Sequence, residues 1–186
     1  GDAPPDPHGH TVFDLDDGTQ LRFLDTRKFG RVHMVADEKE VVGSLGPEPL
    51  ADDFTPSEFS ALLRKRKGAL KPLLLNQQFI AGIGNIYADE ALFAAGIHPQ
   101  RKADTLADEE IGRLYQAIRQ VLRQALADQG TTFDGAYRQV DGEEGRHQEN
   151  LLVFQRKGQP CPRCGNAIER IVVGGRGTHF CPCCQK

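Results

Sequence analysis

The sequence predicts an α+β chain on three observations. Short apolar–polar alternations flank an Asp-Gly turn near the start, helix-period apolar spacing fills the middle, and paired cysteines close the chain. Its 186 residues suffice for one ordinary domain or two to three small ones. An apolar share of 39% with 26% charged residues excludes the disordered and fibrous classes. No apolar run approaches the roughly 20 residues that span a bilayer, and no secretory leader pattern is present. A cytoplasmic protein with no membrane partner is expected.

Residues 11–16 alternate, Asp17-Gly18 supplies a hairpin turn, and residues 19–25 alternate again. Phe13 and Leu15 share one face, with Leu21 and Phe23 expected opposite them, and residues 31–35 read as a third strand. Three short strands need a partner to cover their apolar face, so this stretch reads as part of a larger β domain. Between the second and third strands lies Asp25-Thr26-Arg27-Lys28-Phe29-Gly30. Arg27 as a donor and Phe29 as a stacking plate suit a wedge into duplex DNA; a Phe under a hairpin also suits a core.

Residues 43–53 form a linker bearing Gly and Pro. Thr55-Pro56-Ser57-Glu58 is a capping box with Pro at the first helical position, opening a helix that buries Phe59, Leu62 and Leu63. An apolar piece, 70–75, leads into the turn Gly82-Ile83-Gly84-Asn85. Asn85 is placed as the N-cap of a helix over 86–95, which Gly96 and Pro99 terminate. A glycine turn feeding a helix N-terminus presents free N–H groups and the positive end of the dipole, which suits a phosphate. The same glycines also suit close packing alone. Thr105-Leu106-Ala107-Asp108 starts a further helix, whose stripe of Ile111, Leu114, Tyr115, Ile118, Val121, Leu122, Ala125 and Leu126 runs on to Gly130. That stripe is core. Residues 131–150 have little periodicity, a length of loop that is usually functional or disordered. Residues 151–154 read as a short strand.

The net charge of −3 argues against a nucleic-acid partner, but its distribution argues for one. Acid concentrates between Asp37 and Glu58, whereas Arg64-Lys65-Arg66-Lys67, Lys71 and the C-terminal Arg156, Lys157, Arg163, Arg170, Arg176 and Lys186 are basic. Each basic run taken alone is equally an exposed, solvated face.

Cys161-Pro-Arg-Cys164 and Cys181-Pro-Cys-Cys184 are two knuckles around strand-like residues 168–173, a Gly174-Gly175-Arg176-Gly177 turn and residues 178–180. Two such pairs complete a tetrahedral four-thiolate zinc site, and four thiolates leave no open position, so one structural Zn²⁺ is expected. Disulfides are the competing arrangement; an odd total of five cysteines and the knuckle spacing favour zinc. Cys161, Cys164, Cys181 and Cys184 repeat the two-residue spacing, which leaves Cys183 spare. Arg176 then stands at the tip of a zinc-held hairpin, facing DNA or merely exposed.

Four of these pieces, the run from Gly82 to Pro99, residues 25–30, Leu45-Gly46-Pro47-Glu48-Pro49-Leu50 and residues 174–184, resemble the formamidopyrimidine-DNA glycosylases, bacterial enzymes that excise 8-oxoguanine. The resemblance runs in the same order over essentially the whole chain. It implies a partial N-terminal β-sandwich over 1–50, a helix–two-turn–helix domain over 51–150 with a lesion-lid loop at 131–148, and a zinc-ribbon-type finger over 151–186. It further implies that Asn85 and Arg176 grip phosphates around the damaged nucleotide while the base is flipped out. Arg27 resembles the residue that pairs with the orphan cytosine, Phe29 its neighbouring wedge, and His8 and Arg66 further backbone contacts. Damaged double-stranded DNA is the implied partner, the chain a monomer, and the location the bacterial nucleoid.

The implied chemistry is that of a bifunctional glycosylase and AP lyase. An N-terminal proline amine forms a Schiff base, an adjacent glutamate moves protons, and β,δ-elimination cuts the strand, with Arg176 at the position assigned to the later elimination. The sequence departs from this pattern at its start, where Gly1-Asp2-Ala3-Pro4-Pro5 stands and the family's Pro-Glu-Leu-Pro-Glu does not. With it go half of the sandwich, the lysine used in elimination and a third void-filling residue, so the chain alone is expected to be inactive. Thr26 replaces a usual Pro, His147 a usual aromatic, and Cys183 is extra. Two alternatives stand beside the purine glycosylase: a non-catalytic lesion-binding module, and the sister endonuclease for oxidised pyrimidines.

Overall fold

Asp17 accepts the Thr19 backbone N–H at 2.8 Å and Gly18 takes a φ of 82°, and together they turn the chain between β1 (Gly9–Asp14) and β2 (Gln20–Leu24). The computed structural model describes residues 7–25, 28–133 and 142–186. It divides into two units, Gly1–Gly43 and Ser44–Lys186. In the first, β1 and β2 pair antiparallel, Phe13 opposite Leu21 and Thr11 opposite Phe23, with a register shift near Gly9. Phe23 therefore faces Thr11 rather than Phe13 or Leu15. The expected third strand at 31–35 is absent: no strand forms there, because alternation supplies a pleat preference but a strand also needs a partner edge. A short helix, α1 (Lys39–Val42), closes the unit.

The second unit is helical with a small β finger. Thr55 and Glu58 form the expected capping box at the start of α2 (Pro56–Leu63). Helix α3 (Leu70–Leu74) precedes the glycine turn, α4 (Asn85–Ala95) follows it, and α5 (Asp108–Ala127) is the longest element. Gly96, at φ 72°, closes α4 in the left-handed conformation, and the Ile97 N–H returns to the Leu92 carbonyl at 3.0 Å. The main core joins Phe59, Leu63, Leu70, Leu74, Phe79 and Ile83 to Leu92 of α4 and Leu114 and Ile118 of α5. Burying these faces supplies most of the helices' stability, since short helices are marginal in water.

A second core gathers Phe93 of α4 with Val153, Cys161, Ile168 and Cys181. It seats the finger, whose strands β3 (Glu169–Val173) and β4 (Arg176–Phe180) pair antiparallel with Val173 opposite Arg176. The strand expected at 151–154 is instead a turn. The Leu152, Val153 and Phe154 N–H groups all donate to the Glu90 carboxylate at 2.8–2.9 Å, so none is left for a ladder. Among the described residues, no helix is long and apolar enough to cross a membrane.

Candidate nucleic-acid interface

Gln77 builds the turn ahead of α4: its Oε1 accepts the Gly82 N–H at 2.9 Å and its Nε2 donates to the Ile83 carbonyl at 3.0 Å. Gly82 takes φ 77°, a left-handed position that costs a side-chain-bearing residue strain. Gly84 is exposed and extended, and it is the residue that caps α4. Asn85 is thus the first helical residue and not the N-cap. Its side chain makes no cap hydrogen bond; instead Nδ2 donates to the Gly177 carbonyl of β4 at 3.2 Å. Its Oδ1 is buried without a hydrogen-bond partner among the described residues. The first N–H groups of α4 have no intrahelical acceptor, and with the dipole they make this end attractive to an anion.

The hairpin carrying Arg176 docks against the same place. A Cβ on Gly174 would fall 2.7 Å from Pro72 Cγ of α3, and Gly174 also takes φ 58°, so only glycine fits this contact. Arg176 itself is exposed at the start of β4. Its charge lies near enough to Lys71 to oppose that ammonium.

Beneath the pair sits a buried polar cluster. Lys71 and Asp89, both with side chains 0% exposed, form an ion pair, and Lys71 Nζ also lies 3.4 Å from the Asn85 carbonyl. Asp89 Oδ2 accepts the His179 N–H at 2.8 Å and lies 3.4 Å from His179 Nδ1. Burial pushes the Asp89 carboxyl up and the Lys71 ammonium down, in each case against their mutual attraction. The neighbouring Glu90 is likewise raised by burial, which outweighs the three N–H bonds it receives. Lys71, expected with the basic run as a nucleic-acid contact, is instead buried and paired to Asp89, and the sequence singles out neither Asp89 nor Glu90 as a site residue. The only cue was two adjacent acids in an otherwise apolar helix and a lysine inside Leu70-Lys71-Pro72-Leu73-Leu74.

Cys161, Cys164, Cys181 and Cys184 converge as expected, their sulfurs all within 4.8 Å of one another. Separations of 3.9 Å between Cys161 and Cys184 and 3.5 Å between Cys164 and Cys181 bracket the edge of about 3.8 Å that a tetrahedron with Zn–S bonds of about 2.3 Å requires. Backbone N–H groups of Arg163 and Cys184 point at Cys161 and Cys181 at 3.4 Å each, the donors a thiolate needs. Hydrogen bonds from Asn166 lower the Cys164 thiol to about 6, while burial raises Cys181 and Cys184. The donor set fits zinc. Cys183 is exposed and outside the cluster.

The other expected contacts fall in both units. Arg66 is exposed, its guanidinium 5.9 Å from the centre of the Phe79 ring, in the same unit as Asn85 and Arg176. Phe29, 81% exposed, and His8, whose carbonyl accepts the Asp25 N–H at 3.1 Å, belong to the first unit. Phe29 is not core. Arg27 lies outside the described residues, as do residues 134–141 of the 131–148 loop. The two ends of that loop meet: Thr131 pairs with Arg146, and His147, buried, holds Asp128 Oδ2 at 2.7 Å and faces the Tyr87 ring.

Residues 45–135 match the formamidopyrimidine-DNA glycosylase H2TH domain, and residues 158–186 match a zinc finger found in FPG and IleRS. The formamidopyrimidine-DNA glycosylase of Roseiflexus sp. (strain RS-1) is 51% identical over all of this chain and 68% of its own length. That of Chloroflexus aggregans is 52% identical over 96% of this chain and 66% of its own. The chain thus spans about two thirds of these relatives. Among solved structures, the MutM (Fpg) protein of Thermus thermophilus superposes with a TM-score of 0.90 at 46% identity, covering 98% of this chain and 70% of that one. Wild-type Lactococcus lactis Fpg in complex with DNA containing N7-benzyl-Fapy-dG gives 0.89 at 39%, covering all of this chain and 68% of that one. On the order of its elements, its four-cysteine finger and these identities, the chain belongs to the formamidopyrimidine-DNA glycosylase family.

Proposed function

We propose that this chain grips damaged duplex DNA for base-excision repair of oxidised purines, as part of a bifunctional glycosylase and AP lyase. The observation that carries this is the Asn85 Nδ2 to Gly177 O bond, which brings the N-terminus of α4 beside the hairpin that bears Arg176. Two positive features, a helix dipole and a guanidinium, then face one stretch of backbone. Held on both sides of one nucleotide, the phosphates are drawn together, which lowers the cost of extruding the base between them. Arg176, within reach of the nucleotide, further neutralises phosphate charge as the strand is cut.

In the same proposal, Arg27 and Phe29 enter the space the base leaves, His8 and Arg66 hold flanking phosphates, and residues 131–148 cover the extruded purine. One zinc per chain, bound by the four clustered cysteines, holds the finger in shape, and the protein acts as a monomer. Domain limits at 50 and 150 are proposed between the β, helical and finger parts, with residues 44–50 packing in the helical unit ahead of the first limit.

The test is a binding titration with a duplex carrying a tetrahydrofuran abasic-site analogue, beside the undamaged duplex. Tighter binding to the abasic duplex, weakened by about 1–3 kcal/mol in each of Asn85→Ala and Arg176→Ala, is expected, the scale of a lost charge-assisted hydrogen bond. Unchanged affinity in both variants would remove the grip.

A further inference from the structure

We infer that Asp89 is a positioning residue: its carboxylate sets the register of β4 against α4 and so holds Arg176 at a fixed place relative to Asn85. The inference rests on the proposed phosphate grip and adds what builds it.

Strand β4 has β3 on one edge, with Val172 opposite Gly177 and Arg170 opposite His179. Its other edge meets the side chains of α4. Asn85 Nδ2 donates to the Gly177 carbonyl at 3.2 Å, and Asp89 Oδ2 accepts the His179 N–H at 2.8 Å. Residues four apart on a helix lie on one face about 6 Å along the axis, and residues two apart on a strand are about 6.6 Å apart with their N–H and C=O groups on one edge. The spacings match. Two helix side chains therefore stand in for a neighbouring strand, one rung donating and one accepting.

One rung fixes β4 beside α4 only at Gly177. The second sets how far the strand slides or tilts along α4 from there, and Arg176 precedes Gly177 directly in the strand. Lys71 makes the second rung tolerable, because an unpaired carboxylate this deeply buried would be strongly disfavoured. Glycine at 174 lets the hairpin come close enough: a Cβ there would fall 2.7 Å from Pro72 Cγ of α3.

A double-mutant cycle tests the inference, with affinity for the tetrahydrofuran duplex as readout. Two backgrounds replace the buried charges while keeping the side-chain branching. K71M/D89L removes the rung; K71M/D89N keeps a neutral carbonyl that still accepts the His179 N–H. Arg176→Ala is expected to weaken binding about tenfold in the wild type and in K71M/D89N, the scale of one hydrogen bond to a charged group, but by no more than about threefold in K71M/D89L. A merely structural Asp89 would lower the melting temperature without changing what Arg176→Ala costs. The inference is overturned if that cost in K71M/D89L equals the wild-type cost. Should K71M/D89L fail to melt cooperatively, K71M/D89A, which also removes the rung and leaves no unpaired buried charge, carries the same comparison. A wild-type chain indifferent to both Arg176→Ala and Asn85→Ala would instead remove the phosphate grip itself, and the inference with it.

Discussion

Arg163 of the finger sits over Phe93 of α4, its guanidinium carbon 4.3 Å from the ring centre, while its Nη1 donates to the Phe93 carbonyl at 2.8 Å. Its Nη2 reaches the Ala94 carbonyl at 3.0 Å. One cation thus satisfies carbonyls at the negative end of the helix and covers an aromatic face that also belongs to the finger's core. The finger is joined to α4 at both ends: by Arg163 at the C-terminus and by Asn85 at the N-terminus.

Phe93→Ala should cost about 3–5 kcal/mol, since the ring is fully buried between helix and finger and its loss leaves a cavity. Thermal unfolding followed by circular dichroism would read it. A drop below about 1 kcal/mol would mean that the finger is seated by its polar contacts alone.

Glu90→Ala removes the acceptor of three backbone N–H groups at once, that of Val153 buried and those of Leu152 and Phe154 part-buried. At about 1 kcal/mol or more per orphaned donor, a loss of roughly 3 kcal/mol is expected in denaturant unfolding. Amide exchange should accelerate at residues 152–154 first. Protection there unchanged from wild type would assign the turn's order to Val153 packing instead.

Zinc content should fall on substituting any ligand and not on substituting the spare cysteine. Cys161→Ser is expected to lose the metal and the finger's order with it, while Cys183→Ser keeps both. Elemental analysis of reduced protein decides it; loss of metal from Cys183→Ser would place that thiol in the site.

Asp128 gives a dependence on acid. The His147 hydrogen bond, then that of Asn150, holds its carboxyl below its ordinary value of 3.8. A depressed acid stabilises the fold fully above its unfolded value, and that contribution disappears as pH falls through the lower folded value. Stability curves of the wild type and Asp128→Asn should therefore converge at the acid end, part as pH rises through the depressed folded value, and stay fully apart above about 3.8. Parallel curves throughout would mean that the His147 contact contributes nothing to folding.

What the sequence determined by itself is local. The Thr55–Glu58 box, the Asp17-Gly18 turn, Gly96 at the end of α4, the cysteine knuckles and the α5 stripe from Ile111 to Ala125 each depend on residues a few positions apart, and each is found where its pattern placed it. Leu126, expected in that stripe, is 69% exposed because the helix runs past the core there. What only the tertiary structure decided is where side chains with a choice of partner spend their hydrogen bonds. Asn85 reads as a cap because its own helix end is near, yet it bonds Gly177 far along the chain. Residues 151–154 have the apolar content of a strand, but Glu90 takes their N–H groups first. Asp89 and Lys71 look like surface charges until distant segments bury them together. Polarity can be read residue by residue; burial, which decides what a polar group must bond, is a property of the assembled fold.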